Sequence, residues 1–364
     1  MPKSQVNCPG CGAQLHCQNK KQEGFMPTDQ FKSLTKHELV YAYCMRCELM
    51  HRRNKLYHVE TNETDYNQFV LKKICEQKKA HVILLIDLLD MPNSIYPGWS
   101  QLITSKNNID ICVIGNKIDL LPDTGPIFQK SIIECMAKCC EQKGISGERI
   151  KYVDLISAKT GYNVEKLISS LFSMFNDEGN VYLLGSTNAG KSLLFNQLLN
   201  SDYCRTLASQ ALSKAVTSFW PGTTLNLIRF PITFLNLRKQ RIRSARLKND
   251  QILFEKIDLE RMRMYEKEHN LKDAELLGMI GSSFDISTKN SDQLNSELNS
   301  TYSLDPNTGA IYEGENYADS MQIEEKIIDD ARQLYRPKYF EDKAAFFYDT
   351  PGLMSTHEIL KYFY

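Results

Sequence analysis

The sequence predicts an α/β fold: a mostly parallel six-stranded sheet with helices on both faces, preceded by a small cysteine-knuckle domain. Three observations carry this. Apolar runs of strand length, such as Val82 to Ile86, alternate with amphipathic helical stretches, the mark of strands buried on both faces. One such run, Val181 to Leu184, leads into Gly185 and then Gly190-Lys191-Ser192, which opens an apolar-periodic helix. Two C-x-x-C pairs, Cys8/Cys11 and Cys44/Cys47, precede the first strand.

A chain of 364 residues, 42% hydrophobic and 24% charged, holds enough apolar material for two or three packed domains. Its formal net charge is zero, so any nucleic-acid surface must be local. No apolar run approaches the ~20 residues that span a bilayer, which leaves at most peripheral membrane association. The eleven cysteines include seven scattered through apolar or helical stretches, as expected of buried thiols in a reducing compartment. No Arg-rich amphipathic leader is visible at the N-terminus.

Residues 1–60 form the knuckle domain. Its two C-x-x-C turns, separated by 32 residues, suit a tetrahedral four-thiolate zinc site of Cys8, Cys11, Cys44 and Cys47. A segment this small has little core, so the metal would supply folding free energy. A pair of unrelated thiol turns or a redox disulfide is the alternative; His16, Cys17 and His51 are spare donors ranked below the four cysteines. Four thiolates leave no open position for catalysis by the metal.

Residues 61–364 form the second domain, with a variable, partly disordered insertion at about 235–340. An amphipathic helix over Asp65 to Lys79 leads into the strand that ends at Asp87. Asp87 and Asp90 either face a ligand at the strand's carboxyl end or are simply polar strand-end residues. A strand at Ile111 to Ile114 precedes Asn116-Lys117-Ile118-Asp119; a helix covers 126–143; a strand at Tyr152 to Ile156 precedes Ser157-Ala158-Lys159. The helix VEKLISSLFSMF and the glycine loop follow. Thr223 and Thr224 precede a strand-like run LNLIRFPI. Residues 253–280 read as a charged helix and 281–320 as largely disordered. A last strand, Ala344 to Tyr348, runs into Asp349-Thr350-Pro351-Gly352.

The loop Gly185-Ser186-Thr187-Asn188-Ala189-Gly190-Lys191-Ser192, with Leu193 after it, is built to hold phosphates. Its inward N–H groups and the helix N-terminus favour anions. Lys191 would reach the β- and γ-phosphates and Ser192 would hold Mg²⁺. The motif NKxD resembles a guanine reader: the Asp119 carboxylate accepts from guanine N1–H and the 2-amino group, donors that adenine lacks. Asn116 would brace the loop, Lys117 would pack along the base, and the Ala158 N–H would meet the guanine oxygen. Asp349 would stand near Mg²⁺, with the Gly352 N–H on the γ-phosphate and Thr223 or Thr224 as the switch threonine. Each short motif is weak alone; five of them at strand carboxyl ends are not a coincidence. Lys191, Thr224, Asp349 and Gly352 are the residues expected to act in catalysis.

The order is that of a Ras-like domain cut open elsewhere, with the base motifs first and the phosphate loop and switches after. Termini of compact domains tolerate such relocation. Permuted order together with CPGCG, YCMRC, IGNKIDLLP, GSTNAGKS, WPGTTLNLIRFPI and FFYDTPG resembles the YqeH-type circularly permuted GTPases. Within them the similarity is greatest to the mitochondrial branch known as nitric-oxide-associated protein. The resemblance runs from Cys8 to about Lys361 and is vague from 250 to 335. It implies GTP/GDP as ligands, Mg²⁺, structural Zn²⁺ and GTP hydrolysis in assembly of the small ribosomal subunit or on its rRNA. It places the protein in the mitochondrial matrix, with the cytoplasm as the alternative. A GTP/GDP-sensing RNA- or ribosome-binding scaffold is the competing function, and a tRNA-modification GTPase a weaker one. No haem, flavin or oxidase signature is present.

Three further expectations follow from the resemblance. Leu353 stands where Ras-like proteins carry a water-orienting Gln, so hydrolysis should be slow without a partner or another group. Asn188 matches the asparagine that holds K⁺ in potassium-activated relatives; a free loop position is the alternative. Relatives carry a further C-terminal domain, so the chain is expected to be a fragment or an incomplete gene model. Finally, Arg229 to Lys248 contains seven Lys or Arg and no acid. It is either an RNA phosphate contact or a solvated face.

Overall fold

The computed structural model describes residues 6–53, 70–104, 108–121, 125–145, 147–175, 179–205, 212, 214–217, 223–268, 276–284, 302–304, 311–313 and 345–352. Its centre is a six-stranded sheet. The strands are β1 (Lys79–Asp87), β2 (Asn108–Asn116), β3 (Ile150–Leu155), β4 (Asn180–Gly185), β5 (Ile228–Pro231) and, after a short hairpin of β6 (Tyr302–Leu304) and β7 (Ile311–Glu313), β8 (Phe346–Asp349). The order across the sheet is β3-β2-β1-β4-β8-β5. All neighbours are parallel except β5 and β8.

Alternation along the central strands feeds two cores. From β1, Ile83 and Leu85 join one face with Cys112, Ile114, Val181 and Leu183. Val82, Leu84 and Ile86 join the other with Ile111, Val113, Tyr182 and Leu184. The period of two therefore buries both faces, and the sequence reads as an unbroken apolar run. The helices used below are α1 (Met45–Arg53), α2 (Pro126–Gln142), α3 (Val164–Met174), α4 (Lys191–Leu199) and α5 (Leu237–Glu268). α3 and α4 cover the first face through Leu167, Ile168, Leu171, Leu194, Phe195 and Leu198. α2 covers the second through Ile132, Met136 and Cys140, beside Trp99 and Leu102.

The chain builds outward from β1 in one direction (β2, β3), then from β4 in the other. The reversal falls between β1 and β4, and α/β sheets bind ligands at the carboxyl ends beside such a reversal. The antiparallel pairing of β5 with β8 has a direct consequence there. Ile228 pairs with Asp349, so the residues just ahead of β5 lie at the carboxyl end of β8.

The expected helix over Asp65 to Lys79 is described only as a helical turn at 70–75. The charged helix differs more. It begins at Leu237, not 253, and residues 276–284 are not helical. The reason is tertiary: Leu276 and Ile280 pack on the two cores. The Gly278 N–H also donates to Thr160 O at 3.1 Å, next to the Ser157-Ala158-Lys159 loop. Most of 281–320, Trp220-Pro221-Gly222 and everything from Leu353 onward lie outside the described residues.

A third core belongs to the N-terminal knuckle. It contains Val6, Leu15, Met26, Leu39, Met50 and the four knuckle cysteines, and it also takes in Val216 from the second domain.

Candidate guanine-nucleotide site and cysteine cluster

The phosphate loop leaves β4 at Gly185 and enters α4 at Lys191. Gly190 caps the helix at φ +95°, where a Cβ would also run into the Asn116 amide. Lys191 is buried, and its ammonium donates to Gly185 O at 3.1 Å and Ser186 O at 2.7 Å. The cation thus sits over the loop's own carbonyls, at the place where phosphate charge is expected. Ser186 and Thr187 are buried and Ala189 is fully so, while Asn188 is exposed with φ +59°.

Asn116 joins the base half to this loop. Its Nδ2 donates to Ala189 O at 2.7 Å and its Oδ1 accepts from the Ala158 N–H at 2.9 Å. Asn116 thus links the phosphate loop to the Ser157-Ala158-Lys159 loop. The Ala158 N–H, however, is engaged by Asn116 and not turned out for a guanine oxygen. Ser157 is buried and holds its turn by accepting from the Thr160 N–H at 3.1 Å; Lys159 is exposed. Asp119 Oδ1 is buried with no hydrogen-bond partner, a carboxylate oxygen left for donors such as those of guanine. Lys117, in the left-handed region at φ +72°, ties its ammonium to Asp87 Oδ2 at 2.6 Å. Asp87 is therefore neither a free ligand nor an idle strand end. Its own N–H donates to Ser94 Oγ at 2.8 Å, and Ser94 Oγ shares a hydrogen bond of 2.8 Å with Ser186 Oγ in the phosphate loop. Ser94 carries no motif of its own, and nothing local in the sequence marks it.

Three oxygens from distant parts of the chain meet at the head of α4. Ser192 Oγ lies 2.9 Å from Thr224 Oγ1 and donates to Asp349 Oδ2 at 2.9 Å; Thr224 Oγ1 donates to the same oxygen at 3.2 Å. Of Thr223 and Thr224, it is the buried Thr224 that meets Ser192 and Asp349, whereas the Thr223 carbonyl accepts from Arg46. Asp349 is fully buried, and burial pushes its carboxyl up to about 6 despite Lys191 nearby and the two hydroxyl donors. Its Oδ1 is buried without a partner. A hard, all-oxygen set with an unsatisfied carboxylate suits Mg²⁺. Thr350 anchors the next turn by donating to Leu183 O at 2.7 Å. Pro351 leads to Gly352, where a Cβ would stand 2.8 Å from Thr187 Cα and 3.2 Å from Lys191 Nζ. The DTPG segment thus lies directly on the phosphate loop. Leu193 is half-buried on α4.

The four knuckle cysteines are buried, and their sulfurs all lie within 4.8 Å of one another, Cys11 and Cys44 at 3.8 Å. Tetrahedral zinc at ~2.3 Å from each sulfur needs them about 3.8 Å apart. Hydrogen bonds from the Cys11, Cys44 and Cys47 thiols hold Cys8 well below the usual thiol range. Its neighbours' hydrogen bonds push Cys11 and Cys47 well above it. Four buried thiols at this spacing form a donor set that could hold a metal ion. Among the described residues, His16, Cys17 and His51 are not members of it. Gly12, at φ +78°, closes the first knuckle where a Cβ would stand 2.6 Å from Asn226 O.

The basic run splits. Arg229 lies on β5, and the helix that follows uses two of its arginines inside the protein. Arg243 and Arg246 both pair with Glu165 on α3, and Arg246 also with Asp202 at 2.9 Å. Asp202 is fully buried and accepts from Ser283 Oγ at 2.7 Å. These two arginines are removed from any RNA-facing role, because their charges are spent anchoring α5 and the 276–284 segment. Arg238, Arg241 and Lys248 stay exposed. Among the described residues, no helix is long and apolar enough to cross a membrane.

Fold and site together define a P-loop nucleotide-binding protein of permuted order with a guanine-reading loop and a four-cysteine knuckle. Residues 180–276 match the family model described as 50S ribosome-binding GTPase. The chain is 32% identical to human nitric oxide-associated protein 1 over 391 residues, covering 99% of this chain and 54% of the relative. It is 28% identical to the Bacillus subtilis protein YqeH over 229 residues, 62% of this chain and 56% of that one. With an Arabidopsis thaliana NO-associated protein 1, designated chloroplastic/mitochondrial, it shares 27% over 234 residues, 61% of this chain and 40% of the relative. The chain belongs to the YqeH and nitric oxide-associated protein 1 family of circularly permuted GTPases. It spans about half the length of the curated relatives named here.

Proposed function

We propose that this protein binds guanine nucleotide with Mg²⁺ and hydrolyses GTP to GDP and phosphate, timing a step in assembly of the mitochondrial small ribosomal subunit. The observation that carries the nucleotide reading is the meeting of Ser192, Thr224 and Asp349 oxygens within 3.2 Å at the mouth of the phosphate loop. Lys191 neutralises the phosphates, and Ser192, Thr224 and Asp349 would hold Mg²⁺, which supplies charge neutralisation at the transferred group. The Gly352 N–H faces the γ-phosphate, and Asp119 reads the base. With leucine following Gly352, no side chain at that position orients the attacking water, so hydrolysis is slow unless assisted. K⁺ held by Asn188, or the ribosomal partner, supplies the assistance. Zn²⁺ on the four cysteines is structural.

The mitochondrial location and the ribosomal partner rest on the relatives' designations and on family resemblance. The family model's description names the 50S subunit, so both subunits belong in the test. Competition of GTP, GDP and ATP for the chain, with and without Asp119→Asn, tests the base reading; ATP competing as well as GTP would refute it. Single-turnover hydrolysis in K⁺ against Na⁺, with small or large subunits added, tests the rest. Stimulation by K⁺ and by small subunits is expected. No stimulation by either leaves a nucleotide-sensing scaffold.

A further inference from the structure

Among the described residues, the stretch that carries Thr224 makes several backbone contacts to groups outside the sheet. The Val216 N–H donates to Gly10 O at 3.1 Å, and the Leu225 and Asn226 N–H groups both donate to Cys11 O at 2.8 and 2.9 Å. Arg46, inside the second knuckle between Cys44 and Cys47, donates from Nη1 to Thr223 O at 3.1 Å. Tyr43, just ahead of that knuckle, donates its hydroxyl to Lys214 O at 3.0 Å. Val216 is part of the knuckle core, and Leu225 packs against it. The two turns that carry the four thiols therefore grip the loop on both sides of Thr224. From the nucleotide domain, the Asn196 side chain on α4 adds a pair of hydrogen bonds of 2.8 Å to Ala215.

The grip depends on the knuckle being shaped. Cys11 O and Arg46 stand at fixed places only while their C-x-x-C turns do, and for so small a core the metal sets those turns. Arg46 is itself buried. Thr224 in turn meets Ser192 and Asp349 only from the position this loop gives it.

Resting on the nucleotide reading above, we propose that Arg46 and the Cys11 carbonyl are positioning groups for Thr224. Zinc in the knuckle and GTP with Mg²⁺ in the site then bind cooperatively. GDP, which makes no demand on the switch threonine, is indifferent to the metal. Coupling between sites is reciprocal, so the GTP form must also hold its zinc more firmly.

Two measurements on the full 364-residue chain test this. For Arg46→Met, which keeps the side-chain stem and removes the donor, affinity for a non-hydrolysable GTP analogue with Mg²⁺ should fall about fivefold or more. GDP affinity should change less than twofold at an unchanged zinc content of one per chain, and Arg46→Lys should recover part of the loss. Equal loss for both nucleotides, or none for either, overturns the proposal. The second measurement needs no variant: equilibrium competition for zinc between the unsubstituted chain and a chromogenic chelator. Zinc affinity should be about fivefold higher with the GTP analogue and Mg²⁺ than with GDP. Equal affinities overturn the proposal even if nucleotide binding is intact. A chain that binds neither nucleotide overturns the nucleotide reading itself, and this inference with it.

Discussion

The base-reading half of the site and the switch half are held by different means. Asn116, Ala158, Ala189, Asp87 and Lys117 are tied to one another by hydrogen bonds or ion pairs between loops at strand carboxyl ends. Those tying residues lie in loops rooted in the central strands. Among the described residues, the stretch that carries Thr223 and Thr224 makes its backbone contacts largely to the cysteine knuckle, whose core it joins through Val216. The guanine reader thus inherits the rigidity of the sheet. The stretch around Thr224 instead takes its position from the knuckle, an arrangement that suits the moving switch proposed above.

The largest effect should come from cutting the rigid half at its hub. Asn116→Ala strands a buried carbonyl and a buried N–H, at roughly 1–3 kcal/mol each. We expect about 3 kcal/mol lost in denaturant unfolding and an equal fall in GTP and GDP affinity. An effect on GTP alone would erase the distinction between the halves. Next is Asp349→Asn on the switch side. Because burial raises the folded-state carboxyl from 3.8 to about 6, ionising it penalises the nucleotide-free fold. Wild-type stability is therefore intact below about pH 4 and declines as pH rises through about 6. The asparagine variant should be more stable by up to about 3 kcal/mol at pH 7.5 and little different at pH 4, while losing Mg²⁺-dependent GTP affinity. Thermal unfolding at the two pH values checks the sign. The smallest effect should be that of Ser94→Ala, which removes the bridge from Asp87 to Ser186. About 1 kcal/mol of stability and a two- to threefold loss for both nucleotides are expected, measured by calorimetry. A loss confined to GTP would assign Ser94 to the switch.

Most of the sheet was legible because both-face burial leaves continuous apolar runs, and each motif closed one. The phosphate loop, Asn116, Asp119, Thr224, Asp349 and the four cysteines carry local signals, and the structure brings them to two clusters. What escaped has no local signal. Arg46 is a plain basic residue inside a C-x-x-C turn, Ser94 a serine in a polar loop. Their roles come from partners far away in sequence, Thr223 for the one and Ser186 for the other. The basic run misleads for the same reason. Composition cannot distinguish Arg243 and Arg246, which pair with Glu165, from Arg238 and Arg241, which face solvent. Helix bounds failed where Leu276 and Ile280 trade helical periodicity for packing on the two cores.

The β5–β8 ladder is four residue pairs long and lies at one margin of the sheet. Thr224 precedes one of its strands and Asp349 ends the other. Both switches therefore share one short zipper. β4 holds Asp349 from the opposite side, through its pairing with Leu183, while the knuckle holds the residues around Thr224. A site assembled from residues 125 apart in sequence therefore has one member fixed by the sheet's interior and one free to swing on the marginal strand.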